Sequence, residues 1–401
     1  MKYKVIILAL LLLCSTQFPQ VNSFEKLNSI IDDISNEFAP DKRVALFNVQ
    51  LSKNGKEFIV QGETNMPDAK EVLMEKVKLE NIKVVDEIKV LPEKKLKGKI
   101  YGIVNLSVAN LRSTPKHPAE LSTQALLGTI VRIYKSRGGF YLIQTPDNYL
   151  AWVDDDGIFP VNIEQLHDWN SMPKIVFWKD FGFAYSDSNE KSQRISDLVI
   201  GNILILLEET QGFVKVQFPD KRIAFIKKDE VLEYDKWLNN SKPTQKNIVE
   251  TAHKFMGIPY LWGGTSAKGM DCSGFTKTVY FLNGVVLDRD ASQQVHKGIL
   301  VDTQNGFDNL KKGDLLFFGF KGTESKKERV THVGIYIGNL EFIHEAGRVK
   351  INSFDETNPN FSKYRLDHFI RARRIIGSLN ENGITTVKKS IFYNGDFYGT
   401  K

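Results

Sequence analysis

Cysteine is almost missing: the 401 residues contain two, Cys14 and Cys272. A chain so poor in thiols is not a disulfide scaffold. Charge is not concentrated either. The formal net charge of +6 includes Lys2 and Lys4, no run of one sign stands out, and no nucleic-acid motif is present, so no nucleic-acid partner is expected. Asp and His residues do not cluster at a usual metal-ligand spacing, and neither a metal nor another cofactor is expected. The apolar run Val5 to Leu13 is too short to span a bilayer. What remains, at 42% hydrophobic and 25% charged, is an ordinary globular composition, and the length predicts roughly two to four domains.

Met1 to Lys4 followed by Val5 to Leu13 reads as a basic n-region and an h-region, and Asn22 and Ser23 permit cleavage near Ser23. Residues 1–23 are therefore expected to be a signal peptide, with the mature chain exported, periplasmic or secreted, free of a transmembrane span and monomeric. Lipid attachment at Cys14 is disfavoured because bulky Leu13 precedes it. The mature chain then keeps one thiol, Cys272, either a buried small apolar group or a reactive nucleophile.

Residues 24–98 read as a small α+β domain: a helix from Phe24 to Phe38, strands near Val44–Leu51 and Glu57–Glu63, a helix after Pro67, and a strand at Ile82–Val90. The order weakly resembles the BON domain. An internal repeat follows at a constant offset of 73, with Gly128 on Gly201, Phe140 on Phe213, Pro146 on Pro219, Asp147 on Asp220 and Trp152 on Phe225. Alternating apolar and polar residues between Gly and Pro-Asp turns indicate two small β-barrels. Val108 to Pro115 and Tyr149 to Val153 resemble the bacterial SH3-like domain. The expected copies are 99–165 and 170–236. At the same offset Tyr149 becomes Arg222 and Glu120 becomes Gln193.

From Pro243 the texture changes to a helix over Gln245–Met256, a loop with Pro259, Tyr260, Trp262, Gly263 and Gly264, and then Asp271-Cys272-Ser273-Gly274. Phe275, Val279 and Leu282 are spaced four and three apart, so Cys272 opens a helix after a glycine-rich loop. Free amides and the helix dipole there favour a thiolate and can face an oxyanion. A thiolate needs a base. Of seven histidines, His117, His167, His253, His296 and His368 have bland placements, whereas His332 and His344 lie on strand patterns. A two-residue turn at Gly338-Asn339 would put His332 and His344 on opposite faces. If they cooperate, either the loop is odd, with Asn339 left-handed, or a bulge restores parity, and His332 then faces His344.

The run Pro259 to Gly264, Asp271-Cys272-Ser273-Gly274, Lys312-Gly313-Asp314-Leu315, His332 to Gly338 and Phe342-Ile343-His344 closely resembles the NlpC/p60 cysteine peptidases over residues 243–376. The resemblance implies a multidomain chain ending in an α+β papain-like catalytic domain and a tail at 377–401. It implies Cys272 as nucleophile, His332 as base and His344 as its orienting partner, with Tyr260 lining the oxyanion region and Asp271 and Ser273 the substrate cleft. Trp262 belongs to the same binding loop. Two SH3-like domains ahead of such a domain resemble the γ-D-glutamyl-diamino acid endopeptidases, in which the first SH3-like domain walls the cleft and helps bind a free L-alanine amino end. Glu120, Tyr149 and Asp290 match those binding positions; the serine often found after the aspartate is Ala291 here, with Ser292 next. The implied partners are peptidoglycan-derived peptides. Two other readings stay open: a peptidoglycan-binding protein, and an amidase or acyltransferase acting on another cell-wall amide.

Overall fold

The structure, a computed structural model, describes residues 23–397, so the expected export segment, with Cys14 and Asn22, lies outside it. The described residues form two compact units, 23–42 with 46–90, and 43–45 with 91–397. In the smaller unit the helix Ser23–Phe38 buries Leu27, Ile31 and Ile34, and the helix Pro67–Leu79 buries Ala69, Leu73 and Val77. Spacings of three and four put each set on one stripe. Phe47–Asn54 runs antiparallel to Glu57–Thr64, which runs parallel to Val84–Val90. That parallel step requires a crossover, which the second helix supplies. The first strand starts at Phe47 rather than the expected Val44 because Arg43–Ala45 packs with the larger unit: the Leu150 N–H donates to the Arg43 carbonyl at 2.7 Å and the Gln144 side-chain amide to that of Val44 at 3.1 Å.

The repeat is structural throughout. The first barrel orders its strands as Ile158–Val161, Tyr101–Val104, Ile130–Arg137, Phe140–Gln144, Leu150–Asp154, Val108–Arg112 and Leu121–Leu126. Every strand of the second, from Lys174–Phe177 to Val231–Glu233, begins 73 residues after its counterpart, and the neighbour order is the same. Inward-facing apolar side chains fill each barrel, Ala109, Leu111, Val131, Ile143 and Val153 in one and Ala184, Leu198, Leu204, Val216 and Ile226 in the other. The barrels touch where the Ile203 N–H donates to the Leu127 carbonyl at 2.9 Å.

Beyond them, a six-stranded antiparallel sheet runs in the order Ile299–Val301, Phe369–Arg374, Leu315–Phe320, Arg329–Gly338, Glu341–Glu345 and Val349–Ser353. The helix Cys272–Leu282 packs on this sheet with nine of its residues buried, far more than the single face that the Phe275, Val279, Leu282 spacing predicts. It is covered on both sides, by the sheet and by the barrels. The last residues are not loose. Thr385–Thr386 pairs with Val285–Val286, and Phe392 and Phe397 are buried with Ile103 and Trp169. Among the described residues no helix is long and apolar enough to cross a membrane.

Gly128 has φ of +80°, and a Cβ there would stand 2.2 Å from the Ile203 carbonyl oxygen at the barrel contact. Gly128→Ala is expected to destabilise the chain by about 3 kcal/mol, from a left-handed backbone combined with overpacking. The check is a lowered thermal or urea midpoint.

Candidate active site

Asp271 and Arg289 form the base of the site. Asp271 caps the Cys272–Leu282 helix, one oxygen accepting the Gly274 N–H at 2.7 Å and the other the Gly263 N–H at 3.0 Å. A fully buried Arg289 donates to both oxygens, at 3.1 and 2.6 Å, and its Nε donates to Thr123 Oγ1 in the first barrel at 2.9 Å. Ser273 Oγ joins the same network, donating to Asp271 at 3.2 Å and accepting from Arg289 at 3.0 Å. Both Asp271 and Ser273 were expected to line the substrate cleft. Instead they are 6% and 4% exposed, with their polar atoms tied to the fold. Arg289, which sequence reasoning passed over, closes the network; its signal is a lone arginine beside an acid, too common to read. Gly274 is required beside them, since a Cβ would lie 2.0 Å from the Gly264 carbonyl oxygen.

Cys272 opens the helix as expected, but the thiolate expected there is not favoured. Burial pushes the thiol up to about 12, with Asp271 adding to the shift; the N–H groups of Val333 and Ser273, together with Arg289, pull only partly the other way. Dry surroundings outweigh these groups.

The hairpin carrying the histidines turns at Asn339-Leu340, both left-handed with φ of 53° and 57°, and parity is restored by a bulge between Tyr336 and Gly338. His344 is directly opposite Gly334, not His332. His332 sits two residues along the same face, and the absent side chain of Gly334 leaves room for the contact, since a Cβ there would be 3.0 Å from that of His344. His332 Nε2 lies 2.7 Å from His344 Nδ1, and His344 Nε2 lies 2.8 Å from Asn352 Oδ1. Asn352 also donates to the Asn360 carbonyl at 2.8 Å, which fixes its amide. The tautomers follow. Asn352 Oδ1 can only accept, so His344 carries its proton on Nε2 and accepts at Nδ1; His332 therefore donates from Nε2, and its Nδ1 is left as a bare base. Burial first, then Arg365, His344 and Lys350, hold His332 well below the ordinary histidine range; burial pushes His344 down to about 3 despite the Asn352 bond. The resting site thus holds a thiol and two neutral imidazoles.

Around this centre Tyr260 is 39% exposed, its phenol raised by burial and by the nearby Cys272, Asp271 and Glu345. Trp262 is 63% exposed and donates from Nε1 to Glu120 Oε1 at 2.7 Å. Tyr149 belongs to the core of the first barrel, its phenol raised by burial and then by Asp290. Asp290 Oδ2 and Ser292 Oγ both accept from Arg43 Nη1, at 2.7 and 2.9 Å. The sequence-selected residues therefore fall into four groups: Asp271 with Ser273; Cys272 with His332, His344 and Tyr260; Glu120 with Trp262; and Tyr149 with Asp290, Ser292 and an arginine that sequence reasoning did not include. One more group was missed. Glu345, next to His344, is fully buried with neither oxygen in a well-formed hydrogen bond; burial raises its carboxyl to about 7, Asp271 adding and Lys350 and the Gly347 N–H opposing.

Two family descriptions match the chain: the NlpC/P60 family over residues 257–374, and the bacterial dipeptidyl-peptidase Sh3 domain over residues 111–158. A γ-D-glutamyl-L-lysine dipeptidyl-peptidase of Bacillus cereus is 30% identical over 233 residues, which is 56% of this chain and 67% of the relative. Dipeptidyl-peptidase 6 of Lysinibacillus sphaericus is 28% identical, covering 64% of this chain and 93% of its own. The crystal structure of an NlpC/P60 family protein from Bacillus cereus shares the fold, with a TM-score of 0.58 at 24% identity over 69% of this chain and 99% of that one.

Asn352→Ala is expected to lower kcat about tenfold or more with a smaller change in KM, because the bare Nδ1 of His332 is no longer enforced. Asn352→Asp, which keeps an acceptor, retains more activity; steady-state kinetics on both variants checks the relay. The raised carboxyl of Glu345 costs the fold stability as pH climbs from the ordinary 4.5 through about 7. Glu345→Gln should therefore melt like the parent in acid and progressively higher than it above neutrality, as thermal scans across that range will read.

Proposed function

This chain belongs to the NlpC/P60 family of cysteine peptidases, and we propose that it hydrolyses the γ-D-glutamyl–diamino acid bond of murein peptides whose L-alanine amino end is free, acting after export. The observation that carries the reading is the Asn352–His344–His332 chain of hydrogen bonds, which ends one residue before Val333, whose N–H acts on the buried Cys272 sulfur at the helix start. As the Cys272 sulfur attacks the γ-carbonyl carbon, its proton passes to His332 Nδ1. His332 then gives that proton to the departing amine as the C–N bond breaks, leaving a thioester. Water hydrolyses the thioester, losing a proton to His332, which returns it to the sulfur. Because the resting pair is neutral, proton transfer accompanies attack.

The names of the relatives support the γ-D-glutamyl bond as the target. Support for a free amino end comes from the wall of the first barrel: Asp290 and Ser292 already hold a cation, that of Arg43, beside the Tyr149 phenol. A peptide ammonium competes with that guanidinium for the same carboxylate, and Glu120 at the barrel edge adds a second acid.

Cys272→Ala is expected to abolish cleavage of L-Ala-γ-D-Glu-L-Lys while leaving binding, which separates a peptidase from a binding module. Acetylating the amino end should lower kcat/KM by about tenfold or more, the scale of a charge-assisted hydrogen bond. Arg43→Gln, by removing the competitor, should widen that gap. Equal cleavage of the free and acetylated peptides counts against amino-end recognition.

A further inference from the structure

Arg365 has no counter-ion. Among the described residues its guanidinium makes neither an ion pair nor a hydrogen bond; it lies 5.5 Å from the centre of the Phe318 ring and 5.5 Å from that of Tyr364, half-buried. The Phe318 ring is in turn 5.7 Å from that of His332, and the His332 ring 5.0 Å from that of His344. Two other arginines of the region are paired, Arg289 with Asp271 and Arg43 with Asp290. Lys350, the other charged group acting on both histidines, is also positive, and the groups that favour the charge on Arg365 are the Tyr364 phenol and the Cys272 thiol rather than a carboxylate.

Such a cation is a liability in a resting enzyme. The reaction routes a proton onto His332, and a guanidinium one ring away opposes it. The liability disappears when an anion arrives with the substrate. Which half of the substrate brings it follows from the chemistry. His332 must reach the departing nitrogen, so the leaving half lies on its side of the thiol, towards Arg365, whose charge also acts with Cys272. The acyl half has the other wall, where the part-exposed Tyr260 stands.

Building on the reaction proposed above, we propose that Arg365 is a specificity-determining residue for the leaving half, taking a carboxylate carried by the departing diamino acid. That carboxylate is either the free α-carboxylate of a terminal residue or the side-chain carboxylate of diaminopimelate. In both cases the planar fork of the guanidinium, held by two aromatic rings, suits a two-oxygen acceptor better than a lysine would. Docking the carboxylate also removes the positive charge that opposes protonation of the base, so recognition and proton transfer are coupled through one side chain.

Three peptides test this in the wild-type chain and in Arg365→Gln and Arg365→Lys: L-Ala-γ-D-Glu-L-Lys, its α-amide, and the corresponding diaminopimelate peptide amidated only at its α-carboxyl. Wild type is expected to cleave one or both carboxylate-bearing peptides with kcat/KM about tenfold above the lysine amide. The diaminopimelate arm says which carboxylate is held. Arg365→Gln should bring the acid-to-amide ratio to about one, and Arg365→Lys should keep part of it. A purely packing role lowers activity on all three peptides alike and leaves the ratio intact, which overturns the assignment, as does a wild-type ratio near one against both carboxylate sources. If wild type cleaves none of the three, the reaction proposed above falls and this assignment falls with it. Cleavage without acid preference removes this assignment alone.

Discussion

The buried pair of Asp271 and Arg289 is the interaction on which the rest of the site depends. One carboxylate caps the helix that begins with Cys272, receives the N–H of the glycine loop before it, and is gripped by a guanidinium that also reaches Thr123 in the first barrel. Three separate stretches of chain are thereby set to a common position. The pair is nearly dry, so neither member can be lost cheaply: removing one partner of such a pair leaves an uncompensated buried charge, at a cost of about 3–5 kcal/mol. A conserving change is no refuge, since lysine cannot serve both carboxylate oxygens and Thr123 at once.

Dryness also decides the charge state of the chemistry. The conditions that make the thiolate unfavourable make the imidazolium unfavourable as well, so the two shifts oppose the formation of an ion pair from both ends. Two backbone N–H groups act on the sulfur yet do not prevail. They act instead on charge that develops only while the reaction proceeds, when preorganised donors cost no reorganisation. The hydrogen-bond chain ending in Asn352 has the same character: it holds the accepting nitrogen of His332 in place before any charge exists.

Much of this was legible because it is local. The offset of 73 is visible in glycines, prolines and aromatics, and it predicts two equal folds without naming a single contact. Parity along Thr331 to Ala346 showed that a simple Gly338-Asn339 turn could not bring the histidines together, and the bulge at Ile337 is the anticipated repair. The turn moved by one residue because Leu340, an unexpected residue for a left-handed conformation, accepts it. Arg43, Asn352, Glu345 and Arg365 were not legible. Arg43 meets Asp290 across 247 positions of sequence, a separation no spacing rule spans. Asn352 carried a faint signal, as a polar residue between Ile351 and Ser353 in the strand after His344. Arg365 is legible only by what it lacks, which requires knowing its surroundings.

The duplicated barrels differ in what their equivalent side chains do. Both copies have the same strand order, and both meet the catalytic region: the first through Gln124 to Thr265 and Ser266, Thr123 to Arg289 and Asp147 to Lys277, the second through Asp197 to Lys268. At the equivalents of the acid and the phenol, the second copy has Gln193, exposed and bonded only to its neighbour's carbonyl, and Arg222, which pairs with Asp220 at 2.6 Å and reaches the Asn105 carbonyl of the first barrel at 3.3 Å. Asp220 in turn accepts from Asn105, and Asn202 donates to the Ser107 carbonyl. Arg222 and Asp220 thus serve the contact between the copies, at the positions where the first copy has Tyr149 and Asp147. These contacts tie the first barrel, which carries Glu120 and Tyr149, to a second barrel that is itself anchored to the catalytic region by the Asp197–Lys268 pair, so the barrels and the catalytic region brace one another.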